Sequence, residues 1–253
     1  MSAYSIGLFS SGRDQAALDL LKCILNCTSI EPPYIPAKIA YVFCDREPGE
    51  SVESDLFLAF AESQGLTIVT ESSRQLRLAI KDGRADVAEI RKAFDARVLQ
   101  KVTKFSVDNV VFAGYMLVAS DVLCGSLCCL NLHPALPGGP KGTWKQVIRG
   151  LLLSRDRETG VMLHIATSDL DRGPTVAYIR VPLGEHKDFD SIRQAQVKYE
   201  RALLAITLKQ LAERRFFISR LGIRAYPYEL KGILDLTDKA EIFLSWYKKH
   251  FPS

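Results

Sequence analysis

The sequence predicts an α/β protein built on a mostly parallel sheet with helices on both faces. Short apolar runs typical of buried strands alternate along the chain with longer segments of helical periodicity. This repeated order of strand and helix favours parallel strands joined by right-handed crossovers. With 253 residues, of which 47% are hydrophobic, the chain is long enough to bury a substantial core.

The N-terminal half shows the more regular alternation and begins with a strand. Its expected strands are Tyr4–Phe9, Ala37–Cys44, Thr67–Val69 and Asn109–Ala113. Its expected helices are Asp14–Cys27, Glu53–Gln64 and residues 86–104. The stretch between Val69 and the last of these helices is polar and contains Gly83, so no element is predicted there.

The C-terminal half is less regular. Its expected strands are Leu127–Leu132, Gly160–Thr167 and Val176–Val181. Its expected helices are Trp144–Leu153 and Asp190–Arg214. A loop rich in Pro and Gly covers residues 134–142. His164 lies inside an apolar strand and is therefore assigned to the core.

Two regions are expected, a main domain of residues 1–216 and an extension of residues 217–253. The extension is too short for an independent domain of ordinary size. It contains a predicted helix, Asp238–His250, with Thr237 as its cap. An apolar stripe along this helix predicts packing on the main domain or on a neighbouring subunit, and the second arrangement would be a homodimer.

Charge and composition argue against several classes of function. The net charge of +4 is mild and the basic residues are interleaved with acidic ones, so no nucleic-acid partner is expected. No apolar stretch reaches the roughly 18 residues of a membrane span, and no signal segment opens the chain, so a cytoplasmic location is expected. The six cysteines follow neither common zinc spacing, which predicts buried, reduced thiols and no metal site.

Three polar residues stand at the ends of two apolar runs. Asn131 and His133 are two positions apart in a predicted strand, so their side chains leave the same face. Asp171 follows the next strand along the chain, and ligands of open α/β sheets bind outside the carboxyl ends of strands. An amide and a protonated imidazole can stabilise a developing oxyanion, and a carboxylate can accept a proton. This set suits acyl transfer to an amine.

The loop after the first strand is a candidate anion site. Ser11, Gly12 and Arg13 lie directly before a predicted helix, whose free N–H groups and dipole favour an anion. The loop carries neither the GxxxxGK[ST] nor the GxGxxG pattern. Asp14 would oppose a phosphate there unless its carboxylate caps the helix.

Three segments carry a family resemblance, namely residues 108–116, 131–135 and 170–174. They resemble the folate-dependent formyltransferases, and most closely the branch that acts on glycinamide ribonucleotide in purine synthesis. The resemblance implies a Rossmann-like fold, 10-formyltetrahydrofolate as the donor and a catalytic trio of Asn131, His133 and Asp171.

The resemblance also implies two sets of binding residues. The set for a phosphorylated amine acceptor is Ser11, Gly12, Arg13, Arg91 and Glu200. The set for the folate is Met116, Leu117, Val118, Ser168 and Asp169. The chain departs from the family in four places: the loop before the first helix lacks a second glycine and a serine, the loop of residues 134–142 is about two residues shorter than usual, Leu117 replaces an arginine, and Ser168 replaces an acidic residue.

Three alternatives to glycinamide ribonucleotide formylation stay open from the sequence. The acceptor could be another amine, such as an amino sugar nucleotide. Water as the acceptor would make the protein a formyltetrahydrofolate hydrolase. The third alternative is a folate- or nucleotide-binding protein without catalysis, although such a protein has no need of the donors at Asn131 and His133.

Overall fold

The computed structural model describes residues 3–154, 156–184, 188–219, 222–225 and 233–252, and for 222–225 it describes the backbone. The strands are β1 (Tyr4–Ser10), β2 (Ala37–Cys44), β3 (Ile68–Thr70), β4 (Asn109–Phe112), β5 (Cys129–His133), β6 (Glu158–Ile165), β7 (Thr175–Pro182), β8 (Phe216–Ser219), β9 (Gly222–Ala225) and β10 (Leu234–Asp235). The helices are α1 (Gln15–Ser29), α2 (Val52–Ser63), α3 (Arg74–Lys81), α4 (Val87–Val102), α5 (Asp121–Ser126), α6 (Trp144–Ser154), α7 (Phe189–Ala212) and α8 (Thr237–His250).

Eight strands form one sheet in the order β10-β7-β6-β5-β4-β1-β2-β3. The pairs β5–β6 and β6–β7 are antiparallel, and the other pairs in this sheet are parallel. Strands β8 and β9 form a separate antiparallel pair. The prediction of a mostly parallel α/β sheet is confirmed.

Apolar helix faces cover both sides of the sheet. Every residue of β1 and β4 is buried, as expected for central strands of a sheet covered on both faces. One core cluster joins the sheet to α1, α2, α7 and α8, with Leu21 and Phe243 among its members. A second cluster joins the sheet to α3, α4 and α5, with Leu76, Phe94 and Leu123.

Helix α3 lies in the stretch for which the sequence predicted no element. It buries Leu76 and Ala79, so its apolar face is narrow. Polar contacts with the end of β2 fix its start: the Ser73 hydroxyl donates to Asp45 Oδ2 (2.5 Å), and Arg77 Nη1 lies 3.6 Å from the same carboxylate oxygen. The sequence predicted no element here because the stretch is polar and contains Gly83, and these partners are distant along the chain.

The described part of the extension packs on its own chain. Strand β10 pairs in parallel with β7 and extends the sheet. On α8, Trp246 packs against Tyr34 with ring centroids 4.4 Å apart, and the Tyr247 hydroxyl accepts a hydrogen bond from Asn26 (2.8 Å). The prediction that Thr237 caps α8 is wrong, because the helix begins at Thr237 and its hydroxyl donates to Asp235.

Within the described residues, no helix is both long and apolar enough to cross a bilayer.

Helix α8 offers a direct test of this packing. Phe243→Ala should lower the free energy of unfolding by about 3–5 kcal/mol, because it empties a site where the native ring is 2% exposed. The matched control is Ile242→Ala on the same helix, where the side chain is 71% exposed and the change should stay within about 0.5 kcal/mol. Urea unfolding would measure both. Equal effects would contradict the packing of α8 into the core.

Candidate active site

A cavity of about 250 Å³ opens between the segment after β4, the end of β5 and the helices α1, α6 and α7. Its wall includes Asn131, His133 and Asp171, so the structure brings these three predicted residues together. Asn131 and His133 stand on β5, with Asn131 next to Phe112 at the end of β4.

Asp171 reaches the other two residues through a loop that turns back on the sheet. The sequence placed it at a strand end beside β5, but β6 runs antiparallel to β5, so their carboxyl ends do not share an edge. Asp171 has φ 54°, a left-handed conformation that Asp and Asn adopt more readily than most residues. A Cβ on Gly173 would lie 1.6 Å from the Ile165 carbonyl oxygen, so only glycine permits this close approach.

The Asp171 carboxylate is buried among nitrogen atoms, with its side chain 3% exposed. Its Oδ1 lies 3.6 Å from His133 Nδ1, 3.7 Å from His164 Nε2 and 3.5 Å from Asn131 Nδ2. Its Oδ2 accepts a hydrogen bond from the Gly142 N–H (3.0 Å). Burial alone would raise the pKa of Asp171, but the contacts with His164, His133 and Gly142 outweigh burial and lower it. The group is therefore a carboxylate at neutral pH.

His164 belongs to this group, although the sequence assigned it to the core. It is buried, as expected, and also lines the cavity. Its Nδ1 donates to the Ile165 carbonyl (3.0 Å), so its Nε2 is free to accept from Asn131 Nδ2 (3.0 Å). The antiparallel register of β5 and β6 places His164 opposite Asn131, and no local pattern of residues reveals that register.

His133 is held by the loop that follows it. Its Nε2 donates to the Pro140 carbonyl oxygen (2.9 Å), because a carbonyl can only accept, and its Nδ1 faces Asp171. Burial lowers the pKa of His133 below its ordinary value, although the Pro140 contact and the Asp171 charge act in the opposite direction. At neutral pH the imidazole is therefore neutral here. A protonated ring, which the sequence predicts for the oxyanion donor, stays a prediction.

The residues implied for the acceptor do not all reach the cavity. Glu200 lines it and is buried. Ser11 is turned onto the segment after β4, where its hydroxyl accepts from the Met116 N–H (3.0 Å). Arg13 is exposed, and Arg91 lies on α4. Residues Ser11, Gly12, Arg13 and Arg91 are all absent from the described cavity wall.

Of the residues implied for the folate, some line the cavity and others do not. Met116, Leu117 and Val118 line the cavity. Ser168 and Asp169 are exposed and lie outside its wall. The Thr167 hydroxyl donates to the Asp169 carbonyl (3.0 Å), which closes a turn at this point. Thr167 and Leu170, on either side of the two exposed residues, line the cavity in their place.

Comparison with known proteins agrees with this fold. The sequence pattern of the formyl transferase family matches residues 36–208, more than half of the chain. The chain therefore belongs to the formyl transferase family. The prediction of a folate-dependent formyltransferase, made from its motifs, is confirmed.

Two relatives and one solved structure illustrate the similarity. Phosphoribosylglycinamide formyltransferase of Escherichia coli is 28% identical over 147 residues, 57% of this chain and 68% of the relative. The enzyme of the same name from Schizosaccharomyces pombe is 27% identical, over 48% of this chain and 62% of the relative. Glycinamide ribonucleotide transformylase 1 of Symbiobacterium toebii shares the fold, with a TM-score of 0.66, 23% identity and coverage of 92% of this chain and 95% of that one.

The contacts of His133 give a prediction with a definite sign. In Asp171→Asn the pKa of His133 should fall below its value in the unchanged protein, because the carboxylate charge that raises it is removed. Asn adopts the left-handed conformation as readily as Asp, so the loop should persist. NMR titration of the imidazole resonances measures the shift. Asp169→Asn, an exposed change in the same loop, is the control, and a His133 pKa that rises in Asp171→Asn would contradict this geometry.

Proposed function

We propose that this protein transfers the formyl group of 10-formyltetrahydrofolate to the primary amine of glycinamide ribonucleotide in purine synthesis. Family membership supports the reaction, and the names of the relatives support the acceptor. The observation that carries the proposal is the convergence of an amide, a neutral imidazole and a carboxylate, from Asn131, His133 and Asp171, on one cavity.

Asn131 and His133 are proposed as donors to the carbonyl oxygen. The folate supplies the formyl carbon, and negative charge grows on its oxygen as the amine attacks. The Asn131 contact with Asp171 is long at 3.5 Å, so this N–H can turn to the substrate while the bond to His164 keeps the amide oriented. The His133 Nε2–H can serve likewise by exchanging the Pro140 carbonyl for the substrate oxygen.

Asp171 is proposed to assist the proton transfer. The attacking amine loses one proton, and the folate nitrogen that releases the formyl group gains one, so the reaction needs a transfer between them. The lowered pKa of Asp171 keeps the group a carboxylate at neutral pH, so it has an open position for a proton. The unprotonated Nδ1 of His133 faces Asp171 Oδ1 at 3.6 Å, so a proton taken up there would form an ion pair with the carboxylate.

The cavity wall near the trio fits a flat heterocycle. Met116, Leu117 and Val118 provide an apolar surface, and Ala166 and Leu170 continue it. An apolar wall with few polar groups is typical of pockets for such ligands. We propose that the folate ring lies against this surface, with its formyl group toward Asn131 and His133.

The proposed reaction is tested by following the loss of 10-formyltetrahydrofolate in purified protein. Turnover should require glycinamide ribonucleotide and should give one formylated product per folate consumed. Turnover without any amine would indicate the hydrolase instead. Folate binding without turnover, or turnover with an amino sugar nucleotide alone, would also contradict the proposal.

Asp171→Asn should lower kcat by roughly a hundredfold or more, because it removes the proton acceptor and keeps the shape of the side chain. The affinity for folate should change little. Steady-state kinetics measure kcat, and equilibrium titration measures folate binding. Asp169→Asn should retain full kcat. An unchanged kcat in Asp171→Asn would remove this carboxylate from the mechanism.

A further inference from the structure

Besides Asp171, the cavity wall carries three charged side chains. They are Asp14 at the start of α1 and Arg193 and Glu200 on α7. Arg193 is the one cation among the described lining residues. These three charges decide what kind of acceptor the cavity accommodates.

The N-terminus of α1 already holds an anion from the protein. Asp14 has an extended backbone, and its Oδ1 accepts a hydrogen bond from the Ala17 N–H (3.0 Å), as a helix-capping residue does. The sequence left open whether Asp14 caps the helix, and this contact confirms that it does. A phosphate brought to the same place would meet a carboxylate and lose that N–H donor.

Arg193 is held in place by its neighbours, and its guanidinium still has N–H groups available to a ligand. Its guanidinium carbon lies 4.5 Å from the centroid of the Trp144 ring, a cation–π contact that holds the side chain beside the cavity. Its contact with Glu200 is long, at 3.5 Å between Nη1 and Oε2. The side chain is 16% exposed, so the cavity reaches it. Lys145 Nζ lies 5.3 Å from the same ring centroid and adds a second positive charge nearby.

Helix α7 connects Arg193 with the backbone next to His133. Arg193, Gln196 and Glu200 recur at the spacing of one helix face. The Gln196 amide donates to the Pro134 carbonyl (2.8 Å), directly after His133. An acceptor held by Arg193 would thus keep a fixed distance to the catalytic trio.

We propose that Arg193, supported by Trp144, binds the phosphate monoester of the acceptor, and that Asp14 excludes this phosphate from the N-terminus of α1. The inference rests on the proposed function, since it concerns the acceptor of the same reaction. On binding, the Arg193 fork exchanges its long contact with Glu200 for two parallel N–H···O bonds to the phosphate. Glu200 can take a proton when it loses this partner, because burial raises its pKa and Arg193 lowers it.

Binding of ribose 5-phosphate, with ribose as the uncharged probe, tests the inference without any turnover. The unchanged protein should bind ribose 5-phosphate more tightly than ribose in isothermal titration calorimetry. Arg193→Gln should weaken the binding of ribose 5-phosphate by about tenfold or more and leave the affinity for ribose unchanged. Arg193→Lys should recover only part of the loss, because lysine keeps the charge without the fork. Asp14→Asn should strengthen the binding of ribose 5-phosphate severalfold, because asparagine caps the helix equally well and carries no charge.

Arg201→Gln is the matched control, because Arg201 is also on α7 but lines a separate cavity beside α8. It should leave both affinities unchanged, and thermal unfolding should show that every variant is folded. Equal affinity for the two probes in the unchanged protein would overturn the inference, as would an unchanged affinity in Arg193→Gln. If formyl transfer to glycinamide ribonucleotide is observed together with either of these results, the inference is overturned and the proposed function stands. Phosphate binding that depends on Arg193, without any formyl transfer, would overturn the proposed function alone.

Discussion

The buried carboxylate of Asp171 is the constraint on which the geometry of the proposed reaction centre depends. A charge at this depth is stable only where polar groups compensate it, and here the Gly142 N–H and the Asn131 amide supply the N–H donors, while the His133 and His164 rings lie within 3.7 Å. Those same contacts orient His133 and Asn131. The arrangement needs the left-handed turn at Asp171 and the absence of a side chain at Gly173, because the chain passes directly over the Ile165 carbonyl.

The sheet supplies the frame for this carboxylate by changing direction next to β5. Parallel strands β4 and β5 bring Asn131 to their carboxyl ends, and antiparallel β6 then places His164 opposite it. The loop after β6 must turn back to deliver Asp171. Both His133 and Asp171 bond to the backbone of the Pro- and Gly-rich loop, at Pro140 and Gly142. The position of that loop and the orientation of the trio are therefore coupled.

Charge separates the two sides of the cavity. The side proposed for the folate is apolar along Met116, Leu117 and Val118, whereas the side formed by α1 and α7 carries Asp14, Arg193 and Glu200. At the N-terminus of α1, the Asp14 carboxylate accepts a hydrogen bond from a helix N–H that would otherwise be open to a ligand. In the proposed arrangement, the Arg193 guanidinium recognises the acidic acceptor, which separates acceptor choice from the chemistry of the trio.

The sequence by itself determined the alternation of elements, the fold class and the residues of the trio, because apolar periodicity and short motifs are local properties. It could not reveal helix α3 or strand β10, which depend on partners such as Asp45 and β7 that are distant along the chain. Tertiary structure alone decided that β6 is antiparallel, that His164 joins the trio and that burial lowers the pKa of His133. Strand register and burial arise only when remote segments meet.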